Sequence, residues 1–320
     1  MRPLIVISGP TAVGKTDCAI WLAEKLHGEI VSADSMQVYK YMDIGTAKPS
    51  LEQQQRVKHH LIDIVNPDRD FSVADYQVLF DRTVDSLLRS EKIPVVTGGT
   101  GLYIRACLRS YAFTDPGADP EIRRQLRDEA ANAGDIDYLY RQLKQVDPET
   151  AVKIHPHDSH RLIRALEVYR RTGTPFSKLQ AEQEQEQQQQ KSPSKYPAIF
   201  LFLDRDRDEL YQRIEARVDI MLQMGLVEEV KSLLEKGYSP ELKAMQSLGY
   251  HQISQFLENR ISLAEAKAQI KQKTRNYAKR QLTWFRKEPV DLWYHISGSN
   301  EEFFGEILNY IEGRLKQDVE

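Results

Sequence analysis

Eight residues close to the start of the sequence, GPTAVGKT, fit the phosphate-loop pattern G-x-x-x-x-G-K-[ST], with Gly9, Gly14, Lys15 and Thr16 at its defining positions. In such a loop, backbone N–H groups and the N-terminus of the following helix converge on an anion, and the lysine adds a positive charge. The threonine hydroxyl is placed to bind Mg²⁺. The loop therefore predicts a phosphate site with a magnesium ion, and it leaves open which molecule carries the phosphate.

A carboxylate and a hydroxyl group are predicted to lie near this loop. Asp34 follows the apolar run EIVSA and Thr100 follows PVVTGG, so both come where a strand ends, at the sheet edge where ligands of such folds bind. Asp34 is a candidate metal ligand, general base or helix N-cap, and Ser35 directly after it suits the N-cap alternative. The glycines around Thr100 permit a close backbone approach to a ligand, or simply a tight strand-to-helix turn.

Two further carboxylates, Asp63 and Asp204, follow the apolar runs LI and IFLFL. An ATPase would need such a residue, after an apolar strand, to hold magnesium. Each is more readily interpreted as a solvated carboxylate at a strand end, and nothing else in the sequence supports either as a metal ligand.

The apolar pattern predicts the elements that must position these residues. Short apolar runs predict strands at 4–8, 29–34, 94–99 and 198–204, and helical stretches follow the first strand and precede the third. Strands that alternate with helices indicate a parallel sheet covered on both faces. The predicted fold class is therefore α/β, a phosphate-loop parallel sheet flanked by helices.

The pattern changes after about residue 114. Residues 118–172 show helical periodicity without a convincing strand. The segment 180–195, QAEQEQEQQQQKSPSK, is polar and glutamine-rich, which is typical of a flexible loop or a frayed helix. A later strand and long helices then return the chain to the sheet. We therefore predict a phosphate-loop catalytic core with a helical C-terminal region at 1–115 plus 198–320, and a helical insertion domain at 116–197.

The composition excludes several classes of protein. At 320 residues and a formal net charge of −3, the chain has no apolar run approaching the roughly 20 residues of a membrane helix, and its start lacks a signal-peptide cleavage region. Its two cysteines, Cys18 and Cys107, cannot build a disulfide framework or a zinc site, which favours a reducing cytoplasm. We expect both to be small core residues.

One basic block departs from this near-neutral average. Residues 266–287 contain eight basic residues and no acidic one, which points to a local anionic partner. On an ideal helix one face, spanning about 80°, carries Lys271, Arg275, Lys279 and Arg286. The opposite side carries Ile270, Tyr277 and Trp284. We expect these apolar and aromatic residues to be core rather than base-stacking platforms, and the basic face to be a candidate phosphate-binding surface.

Six motifs in this order resemble those of the bacterial tRNA dimethylallyltransferases, also called tRNA isopentenyltransferases. They are GPTAVGKT, SADSMQVY, GTAKP, PVVTGGTGLY, HRLIRALEV and KTRNYAKRQLTWFRK, and the resemblance spans residues 4 to about 288. It implies transfer of a dimethylallyl group from dimethylallyl diphosphate to N6 of the adenosine 3′ of the anticodon, in tRNAs that read U-starting codons, with release of diphosphate. The phosphate would then belong to a prenyl donor.

The resemblance also implies roles for individual residues. Asp34 would accept the N6 proton as general base, and Thr100 would lie beside the reacting atoms. Lys15 and Arg217 would stabilise the leaving diphosphate, and Thr16 would hold Mg²⁺. The whole loop would bind the diphosphate, through Gly9, Pro10, Thr11, Ala12, Val13, Gly14, Lys15 and Thr16.

The implied partner is the anticodon stem-loop of tRNA, whose target adenine has to be extruded into a pocket. The implied RNA-contacting positions are Asp34, Ser35, Met36, Gln37, Thr100, Arg123, His160, Arg161, Arg164, Lys273, Arg275, Lys279 and Arg280. Since a tRNA-sized substrate needs no dimer, we expect a cytoplasmic monomer that works without a membrane.

Three alternatives stay open at this point. An isopentenyltransferase of free adenine nucleotides shares the GPT…GKT loop but has no need of the basic block at 266–287. A phosphate-loop kinase of a small metabolite predicts ATP turnover and a magnesium-holding aspartate. A non-catalytic, GTPase-like RNA-binding module predicts guanine recognition, and the sequence lacks the N-K-x-D pattern that would support it.

Overall fold

The computed structural model describes residues 2–109, 119–135, 137–189, 195–297 and 300–317. The chain divides into two units, one formed by Met1–Arg109 with Ser194–Glu320 and the other by Ser110–Pro193. The domain junction predicted at residue 116 lies outside the described residues, and the one predicted at residue 197 lies directly before a strand.

A parallel sheet forms the centre of the first unit, with the strand order β3-β2-β4-β1-β5-β6 among the described residues. The strands are β1 (Leu4–Ser8), β2 (Gly28–Ser32), β3 (His59–His60), β4 (Ile93–Gly98), β5 (Ala198–Asp204) and β6 (Leu292–His295). Every neighbouring pair is parallel, so the loops that follow the strands share one edge of the sheet. The predicted fold class is confirmed, whereas β3 and β6 are too short to give an apolar pattern in the sequence.

Helices account for most of the remaining described residues. They are α1 (Lys15–Lys25), α2 (Leu51–Arg56), α3 (Val73–Arg89), α4 (Gly101–Leu108), α5 (Pro120–Ala133), α6 (Tyr138–Val146), α7 (Pro148–Lys153), α8 (Ser159–Thr172), α9 (Phe176–Gln189), α10 (Arg207–Gln223), α11 (Leu226–Glu235), α12 (Tyr250–Leu257), α13 (Leu263–Phe285) and α14 (Asn300–Gln317). The basic block thus lies largely on one long helix, α13. No helix in the described part of the chain is both long and apolar enough to cross a membrane.

Side chains fix the start of α13. Ser262 accepts a hydrogen bond from the N–H of Glu265, and the Glu265 carboxylate accepts one from the N–H of Ser262. This reciprocal capping box satisfies N–H groups that have no partner inside the helix, and such a cap contributes about 1 kcal/mol. The helix that carries the basic residues therefore begins at a defined position.

The alternation of side chains along the strands builds a core on each face of the sheet. Leu4 and Val6 of β1 point into one apolar cluster, which also contains Phe285 of α13, while Ile5 and Ile7 point into another with residues of α1 and α14. All five of these residues are at most 1% exposed. The central strand is therefore buried on both faces, as the continuous apolar run predicts.

The second unit is helical and has a core of its own. Leu126, Leu143, Leu162 and Leu166, from α5, α6 and α8, are each at most 2% exposed and form its centre. The prediction of a helical insertion is confirmed. Of the two structures predicted for the glutamine-rich segment, the helix applies as far as the end of α9, and residues 190–194 lie outside the described residues.

Candidate active site

The predicted phosphate loop connects β1 to α1 at the carboxyl edge of the sheet. Helix α1 begins at Lys15, so the first N–H groups of the helix lack intrahelical partners and carry the positive end of its dipole. Lys15 folds back over the loop and donates from Nζ to the carbonyl oxygen of Pro10 at 2.8 Å. The geometry is that of an anion site at a helix N-terminus.

Two arginines from later in the chain hold the carbonyl groups of this loop. Arg213 donates from Nε to the carbonyl oxygen of Ala12 at 2.9 Å, and Arg205 donates to that of Val13 at 3.1 Å. Carbonyl oxygens bound in this way are unavailable to repel an anion. Arg205 directly follows strand β5, at the same edge of the sheet, which is the signal by which the sequence could have indicated a role for it.

Asp34 lies just after β2. Its side chain accepts hydrogen bonds from the following backbone N–H groups, as an N-cap does, but these N–H groups belong to a turn and not to a helix. Its Oδ1 accepts hydrogen bonds from the N–H groups of Met36 at 2.8 Å and Gln37 at 3.4 Å. Burial raises the pKa of the Asp34 carboxyl, and these two hydrogen bonds and the charge of Lys15 lower it by less. The result is a carboxylate of increased basicity whose Oδ1 is oriented by the backbone.

Thr100 is tied directly to the residue that follows Asp34. Its Oγ1 accepts a hydrogen bond from the N–H of Ser35 at 3.0 Å and donates one to Ser35 Oγ at 3.3 Å. The two segments approach closely because Gly98 has no side chain: a Cβ there would lie 2.1 Å from the carbonyl oxygen of Ala33. The structure thus brings Asp34 and Thr100 together, as the sequence predicts.

Lys15 and Arg217 place two partly exposed cations near Asp34. Burial, followed by the nearby charge of Arg217, lowers the pKa of Lys15 to about 7, while the Asp34 carboxylate raises it. Burial and the charge of Arg213 also lower the pKa of Arg217. Two cations held close together make a site that favours a multiply charged anion.

An apolar cavity of about 260 Å³ opens next to these groups. Thr11, Asp34 and Arg217 form part of its polar border. Its apolar walls include Met36, Ile214, Val218, Met221, Leu248 and Ile270. The sequence indicates no such cavity, because its walls come from helices α10 and α13, whose packing cannot be derived from the apolar pattern of either helix alone.

The aromatic residues predicted as core on α13 divide between two environments. Ile270 is 1% exposed and Trp284 packs against the core, with the Arg105 guanidinium 4.2 Å from its ring. Tyr277 and Ile270 both line the cavity, and Tyr277 lies beside the side chain of Thr100. The expectation that Tyr277 belongs to the core rather than acting as a base-stacking platform stays a prediction.

Part of the basic face of α13 is occupied by contacts with α10. Lys271 lies 2.9 Å from the Asp219 carboxylate, and Arg275 NH1 lies 2.5 Å from Glu215 Oε1. The predicted RNA-contacting residues Lys273, Lys279 and Arg280 are exposed, and Arg280 also borders the cavity. The outward positive charge of this helix is therefore smaller than the sequence suggests.

The remaining predicted RNA-contacting residues near the site have structural partners. The Gln37 side chain accepts from Ser32 Oγ at 3.1 Å and donates to the carbonyl oxygens of Thr46 at 3.4 Å and Ala47 at 3.2 Å, so it fixes the GTAKP loop. Ser35 and Met36 line the cavity.

In the second unit, Arg123 and Arg164 both bind Glu167, a carboxylate with no solvent exposure. Arg123 Nε lies 2.9 Å from Glu167 Oε1, and Arg164 NH1 lies 2.5 Å from Oε2. Arg161 lies 3.4 Å from the Asp158 carboxylate on the exposed side of α8, and His160 is exposed. Two positive charges that share one buried negative charge leave this group of three side chains with a net positive charge.

The two carboxylates considered for a metal have other partners. Asp63 Oδ1 accepts from Nζ of Lys48 at 2.6 Å, and Asp204 accepts from the N–H of Arg205 at 2.8 Å. Within the described ranges, no group of three or more His, Cys, Asp or Glu side chains could hold a metal ion. Thr16, in the first turn of α1, remains a candidate ligand.

The parallel sheet, the loop between β1 and α1 and the cavity beside it define a phosphate-loop α/β protein whose site suits an anion joined to an apolar group. Residues 37–288 match the protein family described as IPP transferase. The chain belongs to the IPP transferase family.

Similar proteins cover the chain almost completely. It is 49% identical over 296 residues to the tRNA dimethylallyltransferase of Alkaliphilus oremlandii, with 92% of each chain covered. It is 47% identical over 325 residues to that of Moorella thermoacetica, covering 100% of this chain and 98% of the relative. The full-length tRNA isopentenylpyrophosphate transferase of Bacillus halodurans has a similar structure, with a TM-score of 0.73, 38% identity, and coverage of 99% of this chain and 98% of that one.

Proposed function

We propose that this protein transfers a dimethylallyl group from dimethylallyl diphosphate to N6 of the adenosine 3′ of the anticodon in tRNAs that read U-starting codons, releasing diphosphate. The observation that carries the proposal is one apolar cavity whose lining includes Asp34, Arg217 and the phosphate-loop residue Thr11. The names of the similar proteins supply the acceptor, tRNA.

The cavity suits the apolar part of the donor. A volume of about 260 Å³ is at the small end for ligand sites and is lined by aliphatic and sulfur-containing side chains. Burying a five-carbon group contributes about 4 kcal/mol at ~0.8 kcal/mol per carbon, which corresponds to roughly 10³-fold in affinity. We therefore expect the donor to bind up to about 10³-fold more tightly than inorganic diphosphate.

The reaction separates charge at the border of this cavity. The C–O bond of the donor breaks with its electron pair on the diphosphate, and the N6 lone pair forms the new N–C bond to the allylic carbon. Lys15, Arg217 and the first N–H groups of α1 stabilise the negative charge that develops on the leaving diphosphate.

The N6 amine needs a proton acceptor as the new bond forms. Asp34 takes this proton, since burial raises the pKa of its carboxyl and its Oδ1 is oriented by two backbone N–H groups. Thr100 is hydrogen-bonded to Ser35, so its hydroxyl and the Asp34 carboxylate keep a fixed relation to each other. Together they define the acceptor side of the site.

Mg²⁺ fits the donor side of this arrangement. Thr16 offers a hydroxyl, and no cluster of His, Cys, Asp or Glu among the described residues offers a competing site built from protein alone. Mg²⁺ commonly takes one or two protein ligands together with substrate phosphates and water. When bound, the ion supplies neutralisation of charge on the leaving diphosphate.

The test is an incubation of the protein with unmodified tRNA, labelled dimethylallyl diphosphate and Mg²⁺, with AMP and ATP as acceptors in parallel tubes. We expect label in tRNA, at the adenosine 3′ of the anticodon, and none after EDTA treatment. An anticodon stem-loop with guanosine at that position is the matched control and stays unlabelled. Label in AMP or ATP alone would refute the proposed acceptor, and transfer to no acceptor would refute the proposed donor.

A further inference from the structure

We propose that Gln281 is a positioning residue that joins the phosphate loop to the turn that carries Thr100. Gln281 Oε1 accepts a hydrogen bond from the N–H of Thr11 at 2.9 Å, and its Nε2 donates one to the carbonyl oxygen of Gly99 at 2.9 Å. One side chain of α13 thus bridges the loop after β1 and the loop after β4. This inference rests on the proposed function only in assigning the diphosphate to the first loop and the acceptor to the second.

The amide group of Gln281 has little freedom to leave this position. The residue is 5% exposed and lies between Ala278 and Phe285, which are fully buried. A Cβ at Gly99 would lie 2.1 Å from Gln281 Nε2. Trp284 lies one helical turn after Gln281 on α13, and a Cβ at Gly101 would lie 2.2 Å from its Nε1. The loop glycines therefore allow α13 to approach closely enough for the bridge to form.

The pairing of the strands does not require this bridge. Ser8 and Gly98, the last residues of β1 and β4, are already register partners, and Ser8 Oγ donates to the carbonyl oxygen of Gly98 at 2.9 Å. What the bridge adds is a fixed distance between the loops that extend beyond the sheet. Those loops carry the phosphate site on one side and Thr100 on the other.

The bridge also separates two functions of the Thr11 residue. Its N–H group is bound to Gln281, so it is directed at α13 rather than at an anion, while the residue borders the cavity. The N–H groups at the start of α1 remain available for the diphosphate. Loss of the bridge should therefore leave binding of the diphosphate nearly intact and disturb its alignment with the acceptor.

The expected consequence is a fall in turnover with little change in binding. A displacement of about 1 Å between reacting groups can cost roughly 10²-fold in rate. We expect kcat of Gln281→Met to fall by about 10- to 100-fold, while the Kd for the donor and the KM for tRNA change by less than about threefold. Methionine has a similar length and removes both hydrogen bonds.

The matched control is Gln272→Met, on the exposed side of the same helix. We expect it to leave kcat unchanged. Gly99→Ala is a second variant, because its Cβ displaces the Gln281 amide from the opposite direction, and we expect the same fall in kcat without a change in the donor Kd. Melting temperatures verify that each variant is folded.

Hydrogen–deuterium exchange of the segment 9–14 provides a readout that needs no turnover. We expect faster exchange in Gln281→Met than in the wild type or in Gln272→Met. Unchanged exchange and kcat in folded Gln281→Met would overturn the proposal, as would a donor Kd that weakens as much as kcat falls. Failure of the wild type to modify tRNA would instead refute the proposed function, and the exchange comparison would still decide the role of Gln281.

Discussion

Replacing Asp34 by asparagine isolates the proton-accepting role proposed for this carboxylate. Asparagine keeps an oxygen at the position of Oδ1, which accepts from the N–H groups of Met36 and Gln37 at 2.8 and 3.4 Å. The turn after β2 is therefore retained. The change removes the negative charge and the capacity to accept a proton.

The size of the effect follows from the surroundings of the carboxylate. Burial raises the pKa of the Asp34 carboxyl, which makes it a better proton acceptor than an exposed aspartate. A positioned general base typically contributes about 10²–10⁴-fold to the rate, so we expect kcat of Asp34→Asn to fall by this factor. The charge of Asp34 also raises the pKa of Lys15, so Lys15 loses its proton at a lower pH in the variant.

Two measurements test this reasoning. Turnover is measured at saturating donor and tRNA. The donor Kd is measured separately at falling pH below 7, until it is constant for both proteins and Lys15 is therefore protonated in each. We expect the rate to fall as stated while the Kd changes by less than about threefold, or ~0.7 kcal/mol. Turnover within about twofold of the wild type would refute the general-base assignment. A rate loss matched by an equal loss of donor affinity would show that the carboxylate acts on binding instead.

Three further predictions concern charge and packing. Burial holds the pKa of Lys15 at about 7 in the protein without ligand, and a bound diphosphate raises this pKa. Donor binding above pH 7 therefore takes up a proton, and the donor Kd should rise by up to about tenfold per pH unit there. Lys279→Ala should weaken tRNA binding and reduce the salt slope of log K by about one, whereas Arg275→Ala, already ion-paired, should change it less. Gly98→Ala should lower the free energy of unfolding by about 3 kcal/mol, because its Cβ would lie 2.1 Å from the backbone oxygen of Ala33.

Each of these has a control and an outcome that contradicts it. Lys15→Arg should flatten the pH dependence of the donor Kd, and a flat profile in the wild type would exclude Lys15 as its source. An unchanged salt slope for Lys279→Ala would mean that this part of α13 faces only solvent. Gly305→Ala, inside α14 where a Cβ meets nothing within 4 Å, should not lower the free energy of unfolding and should raise it by up to about 1 kcal/mol. Equal stability of Gly98→Ala and the wild type would contradict the close approach.

The phosphate loop and the strand-end positions could be predicted from the sequence because both are local. A loop pattern between an apolar strand and a helix specifies where Lys15 and Thr16 lie, and parallel strands bring Asp34 and Thr100 to the same edge of the sheet. The family motifs occur at these same local features, which is why the resemblance and the apolar pattern agree.

The rest of the site depends on contacts between residues far apart in the chain. Gln281 reaches Thr11 across 270 positions, and Arg213 reaches Ala12 across 201. Neither contact has a periodic signal, since a single glutamine or arginine on a helix is compatible with a solvated side chain. The pairing of Arg275 with Glu215 cannot be derived from the sequence either, so the sequence overstates the positive charge that α13 presents.

The strand order has a consequence for biosynthesis. The central strand β1 pairs with β4 on one side and with β5 on the other, and about 90 residues separate α4 from β5. At roughly 5–20 residues per second, the ribosome needs about 5–20 s to make them, and the free edge of β1 is open to pairing with other chains until then. The arginines that bind the loop carbonyls follow β5, so these contacts to the phosphate loop form only after the interrupting helical unit has been synthesised. A nascent chain stopped before β5 would combine an unpaired apolar strand with an unfinished phosphate loop.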